Sequence, residues 1–176
     1  MLFRSHEMIA DLMLFARPPQ LRAEGVDLIA LTGRVVDEVQ SDPATRHVQF
    51  DIRAPETPLQ LTADPTQLAV ALRALVSNSI EAMPQGGRIE VSVAGDSSGG
   101  AQIVVADNGP GIPAEIRPKI FDPFFSGREA GRGLGFGLSK AWRIVTLHGG
   151  TIDVRETPGG GATLVMQLPQ PRPTTQ

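Results

Sequence analysis

The sequence predicts an α/β protein, a two-layer α/β sandwich in which helices cover a mixed β-sheet. Segments of alternating apolar residues, which indicate strands, occur together with segments of helical spacing, and the strands follow one another mostly as hairpins. The chain has 176 residues, of which 41% are hydrophobic, and this is enough to bury one core. The usual size of ~100–200 residues per domain therefore favours one domain with a short appendage.

The first predicted elements are two helices separated by a linker. Residues 2–16 place methionine, leucine and phenylalanine side chains at helical spacing. The prolines in the segment 17–25 end that helix and indicate a linker. Residues 27–40 return to helical spacing. Residues 48–53 alternate like a strand, and we expect residues 59–63 to pair with them.

Capping and turn residues predict the remaining elements. Asp64 and Pro65 are typical of an N-cap and a first helical position, so a long helix begins there and ends at the Pro-Gln-Gly-Gly segment 84–87. The elements predicted after it are strands at 88–95 and 101–107, a glycine-rich irregular segment at 113–136, a helix at 138–147, and a hairpin of strands at 151–156 and 162–168. We expect the tail after residue 168 to be disordered.

Composition excludes several classes of function. The net charge of -3 argues against a general nucleic-acid surface. There are no cysteines and three scattered histidines (His6, His47 and His148), which excludes a disulfide framework and disfavours a structural zinc site. No apolar run approaches the ~18 residues of a membrane span, and charged residues interrupt the N-terminal apolar residues, unlike in a signal peptide. We expect a cytoplasmic protein.

The stretch VVADNGPGIP, residues 104–113, ends a buried-looking strand with one carboxylate, Asp107. The loop after it holds Gly109 and Gly111, which reach backbone angles closed to other residues, and Pro110, which cannot donate a hydrogen bond. Taken alone, the stretch has two interpretations. It is either a strand followed by a tight turn or a carboxylate presented at the mouth of a binding loop.

A second glycine-rich stretch, GRGLGFG at 131–137, runs directly into a helix. Glycines let phosphate oxygens approach backbone N–H groups, and a helix N-terminus favours anions. The alternative is a flexible loop that starts a helix. The stretch lacks the ending of a P-loop and the dinucleotide GxGxxG spacing, while the GxGxxA match at 109–114 is weak because Pro113 fits it badly.

Two further features carry either local structure or chemistry. Asn78, in LVSNSIEAM, has neighbours on the apolar face of its helix, so its amide needs a partner. It is either hydrogen-bonded locally or an oxygen ligand for Mg²⁺. The stretch FDPFFSGR at 121–128 holds three phenylalanines, which form either a minor hydrophobic cluster or the anchors of an otherwise loose loop.

The order of these features resembles the ATP-binding domain of the histidine kinases, in the superfamily shared with gyrase, MutL and the Hsp-type chaperones. LVSNSIEAM resembles the family's N box, DNGPGI its first glycine box, FDPFFSG its F box and GLGFGLS its second glycine box. RIVTLHGG follows at the family's spacing. The resemblance covers residues 27–168 and implies the family's Bergerat-type fold. Residues 1–20 resemble the end of the second helix of the family's dimerisation hairpin.

The resemblance implies a role for each matching residue. The aspartate of DNGPGI accepts a hydrogen bond from the exocyclic amine of adenine in this family, so Asp107 reads the base, with Ile112 near the ring. Asn78 binds Mg²⁺, and residues 113–134 form a lid over the triphosphate of ATP with Arg128 as candidate γ-phosphate contact. The implied catalytic residues are Asn78 and Arg128, and the implied nucleotide-binding residues are Asn78, Asp107, Gly109, Gly111, Ile112, Phe121, Gly133, Leu134, Gly135, Gly137 and Leu138.

Three positions depart from the family's usual pattern. Four residues before Asn78 the kinases usually carry a second asparagine and the gyrase branch a glutamate that activates water, but this chain has Ala74. We therefore expect slow ATP hydrolysis. Glu81 stands where a lysine or arginine often contacts phosphate, and Leu134 replaces a common threonine.

The phosphoacceptor histidine of the family is not recognisable in this sequence. His6 and Glu7 begin an H-E-x-x-N-P match that the next residues do not continue. The resemblance then implies a chain that presents the γ-phosphate to a histidine on a dimerisation helix absent from it, for transfer to a response regulator. The implied units are 1–20 (helix and linker), 21–168 (catalytic ATP-binding domain) and 169–176 (disordered tail).

The implied partners are ATP with Mg²⁺, the dimerisation domain of a homodimeric parent kinase and a response regulator receiver domain. Nucleic acid and direct membrane contact by this chain are not expected, and membrane anchoring of the parent protein stays open. Two other classes of function also stay open. Ala74 argues against a GHKL-type ATPase of the same superfamily, and the intact Asn78, Asp107 and glycines argue against a regulatory module that has lost ATP.

Overall fold

The structure, a computed structural model, describes residues 20–123, 125 and 136–170. The strands within these residues are β1 (Glu24–Asp27), β2 (Val48–Arg53), β3 (Gln60–Ala63), β4 (Gly87–Gly95), β5 (Ala101–Asp107), β6 (Thr151–Glu156) and β7 (Ala162–Leu168). The helices are α1 (Leu28–Gln40), α2 (Pro65–Ala82) and α3 (Gly137–Leu147), with short 3₁₀-helices at Pro43–Thr45 and Arg117–Lys119.

Five strands form the main sheet in the order β2-β4-β5-β7-β6. β2 runs parallel to β4, and every other neighbouring pair in this sheet is antiparallel, so the sheet is mixed. β1 and β3 form a separate antiparallel pair. With three helices packed against this sheet, the predicted two-layer α/β class is confirmed.

The core lies between the sheet and the three helices. Ile103 of β5 and Leu164 of β7 are completely buried, together with Leu75 of α2 and Ile144 of α3. Buried and more exposed residues alternate along β4 and β5, as expected for strands with one covered face. α2 packs against both α1 and α3 as well as against β4 and β5, so it is the central helix of its layer.

The start of α2 is a junction of three parts of the chain. The side chain of Asp64 caps the helix by accepting the N–H of Gln67 at 3.0 Å, and Pro65 occupies the first helical position. Asp64 also accepts the N–H of Arg22 at 2.9 Å, and its own N–H donates to Nε2 of His148 at 3.0 Å. The cap therefore ties α2 to the segment before β1 and to the end of α3.

Hydrogen bonding sets the protonation of this junction. Because Nε2 of His148 accepts a backbone N–H, the imidazole proton is on Nδ1, which donates to the carbonyl oxygen of Ile144 at 2.8 Å. Burial opposes ionisation of the Asp64 carboxyl, but hydrogen bonds from three backbone N–H groups outweigh it and hold the pKa of Asp64 below its ordinary value.

Two predictions about strands are wrong. The sequence predicts that residues 59–63 pair with β2, but β3 pairs with β1, where Val26 and Leu61 lie opposite each other and are both buried. β2 instead adds to the edge of the main sheet, with Phe50 opposite Ile89 of β4. The linker predicted at 17–25 also includes the first residues of β1.

The other predicted elements within the described part of the chain are confirmed. The helices predicted at 27–40, from residue 64 to the segment 84–87, and at 138–147 are α1, α2 and α3. The strands predicted at 48–53, 88–95 and 101–107 are β2, β4 and β5, and the hairpin predicted at 151–156 and 162–168 is formed by β6 and β7. The predicted helix at 2–16, residues 124 and 126–134 of the predicted lid and most of the tail lie outside the described residues. Among the helices that are described, none has the length and apolar character needed to cross a bilayer.

Candidate functional site

β5 carries a carboxylate into the covered face of the sheet. Ile103, Val105 and Asp107 alternate on that face, so Asp107 ends the strand in line with core residues. The residue is only 3% exposed. A buried carboxylate is unfavourable unless it is hydrogen-bonded, and the neighbouring elements supply the donors.

Three donors surround the carboxylate of Asp107. The hydroxyl of Ser79 donates to Oδ2 at 2.8 Å. The backbone N–H groups of Gly109 and Ala162 donate to Oδ1 at 2.9 and 3.1 Å. A carboxylate offers about four acceptor positions, so the three donors leave one position, on Oδ2.

The backbone around Asp107 is packed closely enough to require glycine. A Cβ added at Gly161 would lie 1.9 Å from the carbonyl oxygen of Asp107, and the φ of Gly161 is +107°. A Cβ at Gly111, whose φ is +77°, would lie 3.0 Å from the carbonyl oxygen of Gly161. A Cβ at Gly109 would lie 2.9 Å from Cγ of Met83. These approaches hold the loop after β5 between the β6–β7 turn and the end of α2.

The far end of this loop is held by an arginine. Nε of Arg117 donates to the carbonyl oxygen of Ile112 at 2.8 Å, and its guanidinium lies 3.7 Å from the carboxylate of Glu156 on β6. Ile112 is half-buried. Arg117 therefore links the start of the predicted lid to the edge strand of the sheet.

Asn78 and Ser79 are neighbours on α2, so the predicted metal ligand stands beside the residue that contacts Asp107. Asn78 is half-buried and takes part in an interaction, Ala74 is half-buried one turn earlier, and Glu81 is exposed. The described residues contain no cluster of three His, Cys, Asp or Glu side chains that could hold a metal ion. The donor set therefore fits Mg²⁺ only as an ion that keeps waters and shares phosphate ligands.

The structure describes three of the seven other predicted site residues. Phe121 and Leu138 are partly buried and pack against the core. Gly137 is the exposed first residue of α3, and a Cβ added there would meet nothing within 4 Å. The predicted site residues that lie outside the described part are Arg128, Gly133, Leu134 and Gly135.

Sequence reasoning missed Ser79, Gly161 and Ala162. Ser79 lies one turn after Leu75 on the buried face of α2 and is completely buried. A hydroxyl on an apolar stripe is the signal that could have found it, because a buried polar group needs a partner. No local pattern reveals the contact of Ala162, since its partner is 55 residues away in the chain.

The fold and the buried carboxylate define the class of this protein. Residues 63–172 match the family described as histidine kinase-, DNA gyrase B- and HSP90-like ATPase. The chain belongs to this family, and within it the chain is a catalytic ATP-binding domain of the sensor histidine kinase type.

Curated relatives support the second part of this statement. The chain is 36% identical to the sensor histidine kinase ZraS of Escherichia coli (strain K12) over 94% of this chain and 35% of that protein. It is 33% identical to the signal transduction histidine-protein kinase AtoS of the same organism over 93% of this chain and 27% of that protein. The chain thus spans about a third of the length of these relatives.

Solved structures share the fold. The mycobacterial sensor histidine kinase MprB superposes with a TM-score of 0.74 at 28% identity, covering 84% of this chain and 97% of that chain. A nucleotide-free form of the catalytic domain of histidine kinase ThkA gives a TM-score of 0.76 at 28% identity, covering 85% and 96%. The resemblance to histidine kinase ATP-binding domains is confirmed.

Proposed function

We propose that this chain binds ATP with Mg²⁺ and presents the γ-phosphate to a histidine on the dimerisation helix of its parent kinase. The observation that supports this most directly is the buried carboxylate of Asp107, which keeps one acceptor position on Oδ2. The exocyclic amine of adenine donates hydrogen bonds, and a carboxylate accepts them. Guanine places a carbonyl oxygen at that point, which repels the carboxylate.

The phosphate end of the proposed site begins at Asn78 and at the start of α3. The amide oxygen of Asn78 is the proposed Mg²⁺ ligand, and bound Mg²⁺ neutralises charge on the phosphates. The uncrowded Gly137 leaves the helix N-terminus approachable for an anion. By sequence resemblance the proposed site also includes Gly109, Gly111, Ile112, Phe121, Arg128, Gly133, Leu134, Gly135 and Leu138.

The proposed partners follow from the same family. Two further structures with this fold support them: full-length ShkA was solved in complex with AMPPNP, and ThkA in complex with the response regulator TrrA. We infer a nucleotide, a receiver domain and the dimerisation domain of a homodimer as partners of the parent protein, and a cytoplasmic location where ATP is available. In this proposal, residues 1–20 end the dimerisation hairpin, residues 21–168 form the catalytic domain and residues 169–176 form a tail.

A nucleotide titration tests the binding step. We expect the chain to bind ATP and ADP in the micromolar range in a calorimetric titration, to bind GTP much more weakly, and to bind ATP more tightly with Mg²⁺ than without it. Equal affinity for ATP and GTP would contradict the assignment of Asp107 as the base-reading residue.

A labelling experiment tests the transfer step. The chain is incubated with γ-labelled ATP, alone and joined to a dimerisation hairpin that carries the histidine. We expect acid-labile, alkali-stable label only in the joined protein, and Asn78→Ala should abolish it. Label on His6 would show that the N-terminal segment is misassigned. Brisk phosphate release despite Ala74 would favour the ATPase alternative, because ATP hydrolysis would then proceed without a water-activating residue at that position.

A further inference from the structure

Ser79 is a completely buried hydroxyl on the apolar face of α2. Leu75, one turn before it, and Met83, one turn after it, are buried hydrophobic residues. The Ser79 hydroxyl donates to Oδ2 of Asp107 at 2.8 Å. An alanine would satisfy the packing of this face, so the hydroxyl has a role that hydrophobic burial does not explain.

The donors to Asp107 are of two kinds. The donors to Oδ1 are the backbone N–H groups of Gly109 and Ala162, which the loop and β7 hold in place whatever the side chains. The donor to Oδ2 is the side chain of Ser79. Among the hydrogen bonds shown to this carboxylate, the one on Oδ2 is therefore the one that a substitution can remove without moving the backbone.

We propose that Ser79 is a positioning residue that sets the base selectivity of this site. This inference rests on the proposed ATP binding. The hydroxyl has a single proton, which it donates to Oδ2 of Asp107, so it has none left to donate to a base. It also occupies one of the two acceptor positions on Oδ2, and the remaining position accepts one N–H of a 6-amino purine.

Removing the hydroxyl takes away the donor to Oδ2. In Ser79→Ala and Ser79→Cys the carboxylate of Asp107 keeps its two backbone donors on Oδ1 but loses the side-chain donor that orients Oδ2. The acceptor that a 6-amino purine uses is then less well positioned, so the preference for adenine falls.

Three nucleotides and three variants separate this role from a structural one. The ligands are ATP, inosine triphosphate with a 6-oxo group, and purine riboside triphosphate with only hydrogen at that carbon. The variants are Ser79→Ala, Ser79→Cys and, as a matched control, Ser77→Ala, which makes the same change two residues earlier on α2 at a position outside the contact with Asp107. The cysteine nearly preserves the volume of the serine while its thiol is a weak donor.

Affinities are measured by calorimetric titration, and thermal unfolding confirms that each variant is folded. In Ser79→Ala and Ser79→Cys we expect ATP to bind about five- to twentyfold more weakly. The affinity for purine riboside triphosphate should change by about twofold or less, and the preference for ATP over inosine triphosphate should fall with the ATP affinity. Ser77→Ala should match the unsubstituted chain. If Ser79→Ala does not fold, the volume-preserving Ser79→Cys gives the same comparison.

Two results would overturn the proposal. One is an unchanged affinity for ATP in both Ser79 variants. The other is an equal loss for all three nucleotides, which would mean that Ser79 only supports the fold. If the unsubstituted chain does not bind ATP, the proposed function fails. If it binds ATP but does not distinguish ATP from purine riboside triphosphate, the base-reading role of Asp107 fails, and the inference fails with it.

Discussion

Asp107 is a single side chain whose orientation depends on three separate parts of the fold. Its donors come from α2, from the loop after β5 and from the start of β7. Hydrogen bonds to a charged group are stronger than those between neutral groups, so these donors offset much of the cost of burying the carboxylate. What remains is a rigid acceptor at the end of a strand.

Replacing Asp107 by asparagine tests this acceptor. We expect Asp107→Asn to bind ATP about 10- to 100-fold more weakly, because a hydrogen bond to a charged group is worth roughly 1.5–3 kcal/mol. The asparagine oxygen still accepts from Gly109 and Ala162, so the fold is kept, but its NH₂ group faces the donor of adenine. Titration measures the change. Asp153→Asn, at an exposed position of β6, is the control, and an Asp107→Asn variant that binds like it would refute the role.

The glycines of the β6–β7 turn allow a clash to be separated from backbone strain. Gly160 and Gly161 have nearly equal φ values of +108° and +107°, but an added Cβ meets nothing at Gly160 and the carbonyl oxygen of Asp107 at Gly161. We expect Gly160→Ala to lower the free energy of unfolding by about 1–3 kcal/mol through strain alone. Gly161→Ala should lower it by several kcal/mol more, as measured by urea unfolding. Equal losses would mean that the turn relieves the contact.

Among the elements, α2 shows what a sequence predicts well. Its start at Asp64 and Pro65 follows from capping chemistry, and its length follows from an uninterrupted apolar stripe, both of which are local. The partner of β3 does not follow from local pattern. The alternation of residues in a strand is the same whichever strand pairs with it. The pairing of β3 with β1 is decided by the joint burial of Val26 and Leu61, which are far apart in the chain.

The residues of the candidate site also divide into those that local sequence predicts and those that it does not. Asp107 was identifiable because a carboxylate directly follows an apolar strand and precedes glycines. Ser79 resembled an ordinary helical residue beside Asn78, and its importance appears only when the end of β5 lies against α2. The N–H of Ala162 reaches Asp107 through the order of strands in the sheet, and no spacing of residues predicts that order.

The cap of α2 predicts a dependence of stability on pH. The folded-state pKa of Asp64 lies below its ordinary value of 3.8, so ionised Asp64 stabilises the fold above that pH, and this contribution is lost as the pH falls through the folded-state pKa. Asp64→Asn keeps a capping oxygen and the backbone N–H that donates to His148. We expect the variant to be about 1 kcal/mol less stable near neutral pH. In urea unfolding the difference should shrink below pH 3.8. A difference independent of pH would contradict this.

Taken as a whole, the molecule places its candidate site where its layers meet. Asp107 lies at the end of a central strand, contacted by the central helix of the helical layer and by the hairpin that completes the sheet. A ligand bound there contacts parts that pack together only in the folded chain. Binding and global stability are therefore linked.

Thermal unfolding measures this linkage. ATP with Mg²⁺ at about 100 times its dissociation constant should stabilise the chain by about 2.7 kcal/mol, which for a domain of this size raises the melting temperature by about 5–10 °C. GTP at the same concentration should raise it much less, and Asp107→Asn should lose most of the ATP effect. A shift with GTP as large as that with ATP would argue against selection of the base.

The hydrogen bond between Asp107 and Ala162 also determines when the contacts of Asp107 can be completed during translation. The two residues are 55 positions apart. At ~5–20 residues per second, roughly 3–11 s of translation separate them. A nascent chain in which α2, β4 and β5 have already been synthesised still lacks β7, which pairs with β5 on the side opposite β4. Its carboxylate lacks a donor, and its loop lacks the turn that packs against it. The proposed nucleotide site is therefore complete only after β7 has been synthesised.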